Sequence, residues 1–323
     1  MPELRWDPVL EEWVVIATKR IARPLLPKNT CPFCPGVLEV PKDYEIVCFE
    51  NMFPSFEQNP DEPSVEGDEL SPVLPAKGIC EVILYTPEHD TTLTQQSIPH
   101  IRKLVEVWSD RYRELGEYDF IDYVYIFENK GEVIGVTLTH PHGQIYAFSY
   151  IPPKAQRELN SSEKYMREKD RCLFCDILSK ERKDGRRMVA ENQSFSAFVP
   201  FFAHWSYEIH IYPHRHLGSL LDFTEEEKDD FAKILKVILV KYDNLFGFSL
   251  PYMMLMHQIP TDGLDYSYYH FHMEFYPLHR GPNKLKYLAG CESGAGTFIN
   301  DNAPEEKAQE LREADPKTKG EER

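Results

Sequence analysis

His140-Pro141-His142-Gly143-Gln144 is the stretch on which the reading of this chain turns. Two histidines stand two positions apart, divided by a proline and followed by a glycine and an amide. A strand-like run, Tyr123 to Phe127, comes before it, Glu128-Asn129-Lys130-Gly131 reads as a turn, and Gln144 to Phe148 continues the motif as another strand. Both histidines recur 130 positions later in the altered form His270-Phe271-His272-Met273-Glu274.

The echo extends outward. Cys31-Pro32-Phe33-Cys34 is matched by Cys172-Leu173-Phe174-Cys175, and the strand candidate Glu45–Glu50 by the one around Phe195–Val199. Glu81 to Tyr85 is matched by Glu208 to Tyr212, and with one gap His89 then lies over His216. A helix follows in each case, with Ile98, Ile101, Leu104, Val105, Trp108 and Tyr112 on one face of the first. The second carries Phe231, Ile234, Leu235, Ile238, Tyr242 and Leu245, and Thr224-Glu225-Glu226-Glu227 reads as its capping box. The chain is thus a tandem duplication, and such self-similarity fixes the fold class before any other argument. Antiparallel strands with one long helix per unit predict an α+β architecture. The units expected are residues 1–153 and 154–300, with a polar tail over 301–323 that includes a short helix at Glu305–Ala314 and a frayed end.

An apolar fraction of 42% supplies a sizeable core, while the formal charge of −17 argues against a nucleic-acid partner, which needs a basic face. The charge also means that an anionic substrate must meet a local cluster of donors. No apolar run is long enough to span a membrane, and the start MPELRWDPVLEEWVV has no basic n-region or apolar h-region, so the cytoplasm is the expected compartment. Residues 57–78 are acidic and proline-rich, and read as a long loop, either a solvated excursion or a lid.

Seven cysteines in such a chain do not make a disulfide framework. Cys48, Cys80 and Cys291 stand alone and read as small buried apolar residues. The other four form the Cys-x-x-Cys pairs, which favour metal. Each unit offers zinc a tetrahedral donor set: Cys31, Cys34, His89 and His140 in the first, Cys172, Cys175, His216 and His270 in the second. One such pair also reads as buried cysteines or a redox motif; two, each with matched histidines, weigh towards about two zinc ions per chain. Four protein ligands make a structural site. Zinc on His140 would fix the backbone that presents His142, Pro141 restricts the φ between them, and Gly143 is expected to leave space for a phosphate.

HPHGQ, with CPFC before it and ENKG upstream, resembles the galactose-1-phosphate uridylyltransferase branch of the histidine-triad (HIT-like) superfamily, over about residues 5 to 300. The resemblance implies two HIT-like halves per chain, a homodimer, and ping-pong transfer of a uridylyl group from UDP-glucose to a hexose 1-phosphate. It implies His142 as nucleophile and Gln144 as a hydrogen-bonding partner of the transferring phosphoryl group. It places Asn129 and Thr137 at phosphate-contacting positions, Asn51 at the nucleotide, and Arg20 and Arg23 as arginines supplied by the neighbouring subunit. Lys286, Tyr287 and Glu292 fall in the family's sugar-nucleotide segment.

Two departures qualify this. Many members carry an iron site built from a glutamate, a distant histidine and a His-x-His. Here the matching residues are Glu158, His257, His272 and Glu274, so the resemblance implies a vestigial iron site, weakened or absent. After Glu292 the sequence SGAGTFIND lacks the glutamine expected for hexose recognition and looks more like ADP-sugar phosphorylases. The alternatives are therefore adenylyl transfer to phosphate by the same histidine, or a non-catalytic nucleotide-binding module. The intact HPHGQ speaks against the last.

Overall fold

A computed structural model describes residues 2–22 and 31–316. The first half holds β1 (Pro2–Asp7), β2 (Glu12–Ala17), β3 (Val47–Glu50), β4 (Val73–Pro75), β5 (Gly78–Leu84), helix α1 (Ile98–Gly116), β6 (Tyr123–Lys130) and β7 (His142–Phe148). The second holds helices α2 (Pro153–Lys169) and α3 (Leu173–Asp184), then β8 (Met188–Glu191), β9 (Phe195–Phe198), β10 (Ile209–Pro213), helix α4 (Glu225–Leu245), β11 (Tyr252–His257) and β12 (His272–Pro277). A hairpin of β13 (His279–Gly281) and β14 (Lys284–Leu285) and the helices α5 (Gly290–Ala295) and α6 (Pro304–Glu313) complete it.

Nine strands form one sheet in the order β3-β5-β7-β6-β11-β12-β10-β9-β8. The order β3-β5-β7-β6 of the first half is repeated by β9-β10-β12-β11, so the duplication is α+β and joined edge to edge. The seam is the antiparallel pairing of β6 with β11, where Phe127 meets Leu255 and Ile126 meets Met256. Neighbouring pairs extend the match: Gln144 lies opposite Phe127, and Glu274 lies opposite Leu255. Gln144 and Glu274 therefore hold the same place in the two halves, as do Val82 and His210 across from them.

Alternation along each strand sends successive side chains to opposite faces. On one face Ile83, Val124, Ile126, Ile145, Met254, Met273 and Phe275 pack with the buried stripes of α1 and α4. Those stripes are the residues that the helical spacing marks, except that Ile98, at the first position of α1, is exposed and Leu245 is only partly buried. The Thr224 capping box forms, with Glu227 N–H donating to Thr224 Oγ1 at 3.2 Å and Thr224 N–H to Glu227 Oε2 at 2.8 Å. The other face carries His142, Gln144 and Tyr146 in the first half and His272, Glu274 and Tyr276 in the second. It is partly covered by the small sheet β2-β1-β4, by the cysteine knuckle, and by α2 and α3.

Several expectations need correction. Glu128, Asn129 and Lys130 continue β6, and the turn begins at Gly131, because β11 pairs with them through Lys130. The 57–78 stretch is the exposed loop expected over 58–72, but it is tied down by Ser64, which donates to Glu3 at 3.0 Å, and it ends in β4, bound to β1. Cys80 is buried, but Cys48 is half-buried and Cys291 exposed, since α5 stands off the core. The stretch read as a polar tail contributes α6, whose Ala308 and Leu311 are three apart and enter the main core. The second half also carries α2 and α3, two helices beyond the one expected.

A carboxylate, Glu128, is buried on the helix side of the seam. Glu128 faces the helices from β6, with Tyr252 Oη 3.4 Å from each of its oxygens. Burial pushes its pKa up to about 7, against the pull of the Lys130 ammonium. An unfolded Glu128 ionises near 4.5, so between about pH 4.5 and 7 the folded chain binds more protons and stability falls as pH rises. The loss is on the order of 3 kcal/mol at pH 8. Glu128→Gln should remove this slope, read as the pH dependence of the urea midpoint; an unchanged slope would place the titration elsewhere.

Candidate active site and metal centres

β7 begins at His142, so its alternation presents His142 and Gln144 to the open face and turns Gly143 into the sheet. His142 Nδ1 lies 2.7 Å from the carbonyl oxygen of His140. A carbonyl only accepts, so Nδ1 carries the proton and Nε2 carries the lone pair. The edge of Phe33 packs on the ring at a centroid distance of 5.0 Å. Orientation and tautomer are thus set from two sides.

His142 and Gln144 line a cleft with Asn51, Phe53, Thr137 and Leu138, while Phe33 and Phe49 form an apolar wall. Asn51 is fixed by its backbone, which donates to Cys80 at 2.8 Å, and its Oδ1 accepts from Phe53 N–H at 2.9 Å. The Arg20 guanidinium lies on the same open face, donating to Ser55 Oγ at 2.8 Å, Tyr146 Oη at 3.0 Å and the Phe53 carbonyl at 3.2 Å. Asn129 sits on β6 and does not line the cleft. Neither do Lys286, Tyr287 and Glu292: Lys286 Nζ bonds Glu292 at 2.8 Å, and Tyr287 is exposed. Arg23 lies outside the described residues. The aromatic wall escaped the sequence reading, although Phe33 stands inside the cysteine pair and Phe49 inside a marked strand.

Gly143 has a different reason from the one expected. A Cβ there would come within 2.2 Å of Tyr85 Oη, on the helix side of the sheet. The glycine makes room for a buried tyrosine behind the motif and opens no space to a phosphate.

The ligand atoms of Cys31, Cys34, His89 and His140 lie within 4.8 Å of one another, and so do those of Cys172, Cys175, His216 and His270. Contacts of 3.6 Å for Cys34–His89, 3.6 Å for Cys175–His216 and 3.4 Å for Cys175–His270 match the roughly 3.3–3.8 Å edges of a tetrahedron with zinc-length bonds. His140 Nε2 donates to the Thr86 carbonyl at 2.8 Å, while its buried Nδ1 has no hydrogen-bond partner. His216 Nε2 likewise lies 2.9 Å from the Ser267 carbonyl, which leaves Nδ1 for the cysteines. Burial holds the His140 pKa below its ordinary value, keeping the ring neutral as a ligand requires. Both donor sets fit a tetrahedral thiophilic metal. The two differ in mounting: Cys31 and Cys34 sit in a turn, whereas Cys172 caps α3 and Cys175 lies in its first turn.

A third cluster gathers Glu158, His257, His272 and Glu274, also within 4.8 Å. His272 repeats the geometry of its counterpart, with Nδ1 3.0 Å from the His270 carbonyl and Phe174 on its ring. His257 stacks on it at 4.7 Å.

A family model described as "Galactose-1-phosphate uridyl transferase, N-terminal domain" matches residues 1–152, and its C-terminal counterpart matches residues 158–321. The chain belongs to the galactose-1-phosphate uridylyltransferase family. Members of this family are nucleotidyltransferases, and so is this chain. It is 44% identical to the galactose-1-phosphate uridylyltransferase of Thermotoga maritima, over 98% of this chain and 99% of that protein. The Haemophilus influenzae enzyme of the same name is 32% identical over 96% and 94%. Among solved structures, a uridylyltransferase superposes with a TM-score of 0.88 at 37% identity, covering 96% and 97% of the two chains. An ADP-glucose phosphorylase from Arabidopsis thaliana with bound ADP-glucose superposes at 0.75 and 25% identity, covering 98% and 99%.

The packing behind the motif gives a direct test. Gly143→Ala should cost about 1–3 kcal/mol by overpacking against Tyr85. Adding Tyr85→Phe, which removes the clashing oxygen, should restore a substantial part of the loss in thermal unfolding. A double variant no more stable than Gly143→Ala would show that the clash is relieved by other means.

Proposed function

We propose that the chain transfers a uridylyl group from UDP-glucose to galactose 1-phosphate through a covalent uridylyl-His142 intermediate. The observation that carries this reading is the Nδ1–H bond from His142 to the His140 carbonyl. It leaves Nε2 as the nucleophilic nitrogen at a cleft lined by the hydroxyl of Thr137 and the amides of Asn51 and Gln144.

In this reading Nε2 attacks the α-phosphorus, a P–N bond forms, and the P–O bond to glucose 1-phosphate breaks. The acceptor phosphate then attacks the same phosphorus and releases Nε2. A neutral imidazole is an able nucleophile near neutral pH. Catalysis at phosphorus rests on positioning and on charge stabilisation, which amide and hydroxyl donors supply. The positive ring that results after attack stays bonded to the His140 carbonyl.

Zinc would occupy both Cys/His sites, and in the first it would anchor His140 and the CPFC turn, hence the two supports of the His142 ring. Residues 1–153 act in this scheme as the catalytic unit and 154–300 as its scaffold. The distance of Lys286, Tyr287 and Glu292 from the cleft is consistent with a homodimer in which a second copy supplies them. Adenylyl transfer from ADP-glucose is the second reading, favoured by the SGAGTFIND segment and the full-length likeness to the phosphorylase.

Intact mass after mixing with UDP-glucose alone, and separately with ADP-glucose alone, decides between them. A uridylyl adduct is expected, and His142→Asn should form none. An adenylyl adduct alone would favour the second reading, and no adduct at all would sink both. Metal analysis should find about two zinc ions per chain, falling by about one in Cys172→Ser. An unchanged content in that variant would refute the second site.

A further inference from the structure

The third cluster differs from the two Cys/His sites in having a cation of the protein's own beside it. Lys154 lies in the first turn of α2, one turn before Glu158. Its ammonium makes a short hydrogen bond to Glu274 Oε2, lies 3.6 Å from Glu158 Oε1, and donates to Tyr276 Oη at 2.6 Å. The other carboxylate contacts come from rings. Tyr269 Oη donates to Glu158 Oε2 at 2.7 Å, and His257 bridges the two acids, with Nδ1 3.0 Å from Glu158 and Nε2 3.2 Å from Glu274. His210 Nε2 lies 3.3 Å from the remaining oxygen of Glu274 and 2.9 Å from Glu208.

We propose that the Lys154 ammonium is the resident cation of this cluster and excludes a divalent metal from it. The four ligand atoms converge as closely as those of the Cys/His sites, so geometry alone does not keep a metal out. Two carboxylates brought together under cover need positive charge between them. In the first half the place of Glu274 is taken by Gln144, an uncharged amide, and no lysine is needed there. In the second half the carboxylate is partnered by a lysine delivered on α2, a helix with no counterpart before the first unit among the described residues. Lys154 and Glu158 also line the second half's counterpart of the cleft, beside His210 and Glu274, so the cation faces an open pocket there.

The test is equilibrium dialysis of the full chain against Mn(II), an ion that suits oxygen and imidazole donors and competes poorly for thiolates. Lys154→Ala should take up one Mn(II) per chain at least about tenfold more tightly than the wild type, since it removes a unit charge that lies against two carboxylates, of which Glu274 is buried. Lys154→Arg, which keeps the cation, should bind like the wild type, and adding Glu158→Gln to Lys154→Ala should abolish the new site. Lys154→Met provides the same reading if the alanine variant fails to fold. A ratio below tenfold would overturn the proposal. So would a folded Lys154→Ala or Lys154→Met chain, with its zinc content intact, that takes up no Mn(II).

Discussion

The hydrogen bond from His142 Nδ1 to the His140 carbonyl is the constraint on which the site depends. It joins a ring to a backbone oxygen only two residues away, so it holds only if that short piece of chain is held. Pro141 restricts the chain, the donor set around His140 anchors one end, and the β5–β7 ladder anchors the other. Phe33, carried between the two cysteines of the same donor set, closes on the ring. One knuckle therefore supports His142 by two routes, through the chain and through an aromatic contact.

The two halves show how far a scaffold separates from its chemistry. Strand order, the Cys/His sets and even the bond from the second histidine to the first one's carbonyl are repeated. Of the positions that differ, the one facing the reacting group is an amide at 144 and a carboxylate at 274. An amide offers N–H donors to a phosphoryl oxygen, whereas an ionised carboxylate offers none and repels it. Both positions face a cleft, but around Glu274 it is lined by charges and rings such as Lys154, Glu208 and His210, and around Gln144 by amides, a hydroxyl and an apolar wall.

Much of this was legible in the sequence because it depends on local spacing. Cysteine pairs, a helical stripe such as Ile101-Leu104-Val105-Trp108, and a capping box are statements about neighbours in the chain. The duplication added long-range information, since matched segments implied matched places. Features that depend on what lies across the sheet were not legible. Gly143 looked like an opening because Tyr85, fifty-eight positions earlier, was not known to sit behind it. Glu128 looked like a turn residue because its partner strand begins at Tyr252. Lys154 drew no notice, since a lysine at the start of a helix is ordinary until its ammonium is seen among acids from another element.

The seam between β6 and β11 also has a consequence for how the chain is made. β6 carries Tyr123-Val124-Tyr125-Ile126-Phe127, an aromatic and β-branched run with an open ladder on one side until β11 arrives. During synthesis from the N-terminus, that edge stays bare while more than a hundred further residues emerge. Such an edge is a template for pairing with another chain, and its closing partner is distant in sequence and slow to arrive. The nascent first half is thus the stage most exposed to misassembly, and it is where a chaperone would matter most. Joining two units edge to edge gives the finished enzyme one continuous sheet and leaves the growing chain its most vulnerable strand.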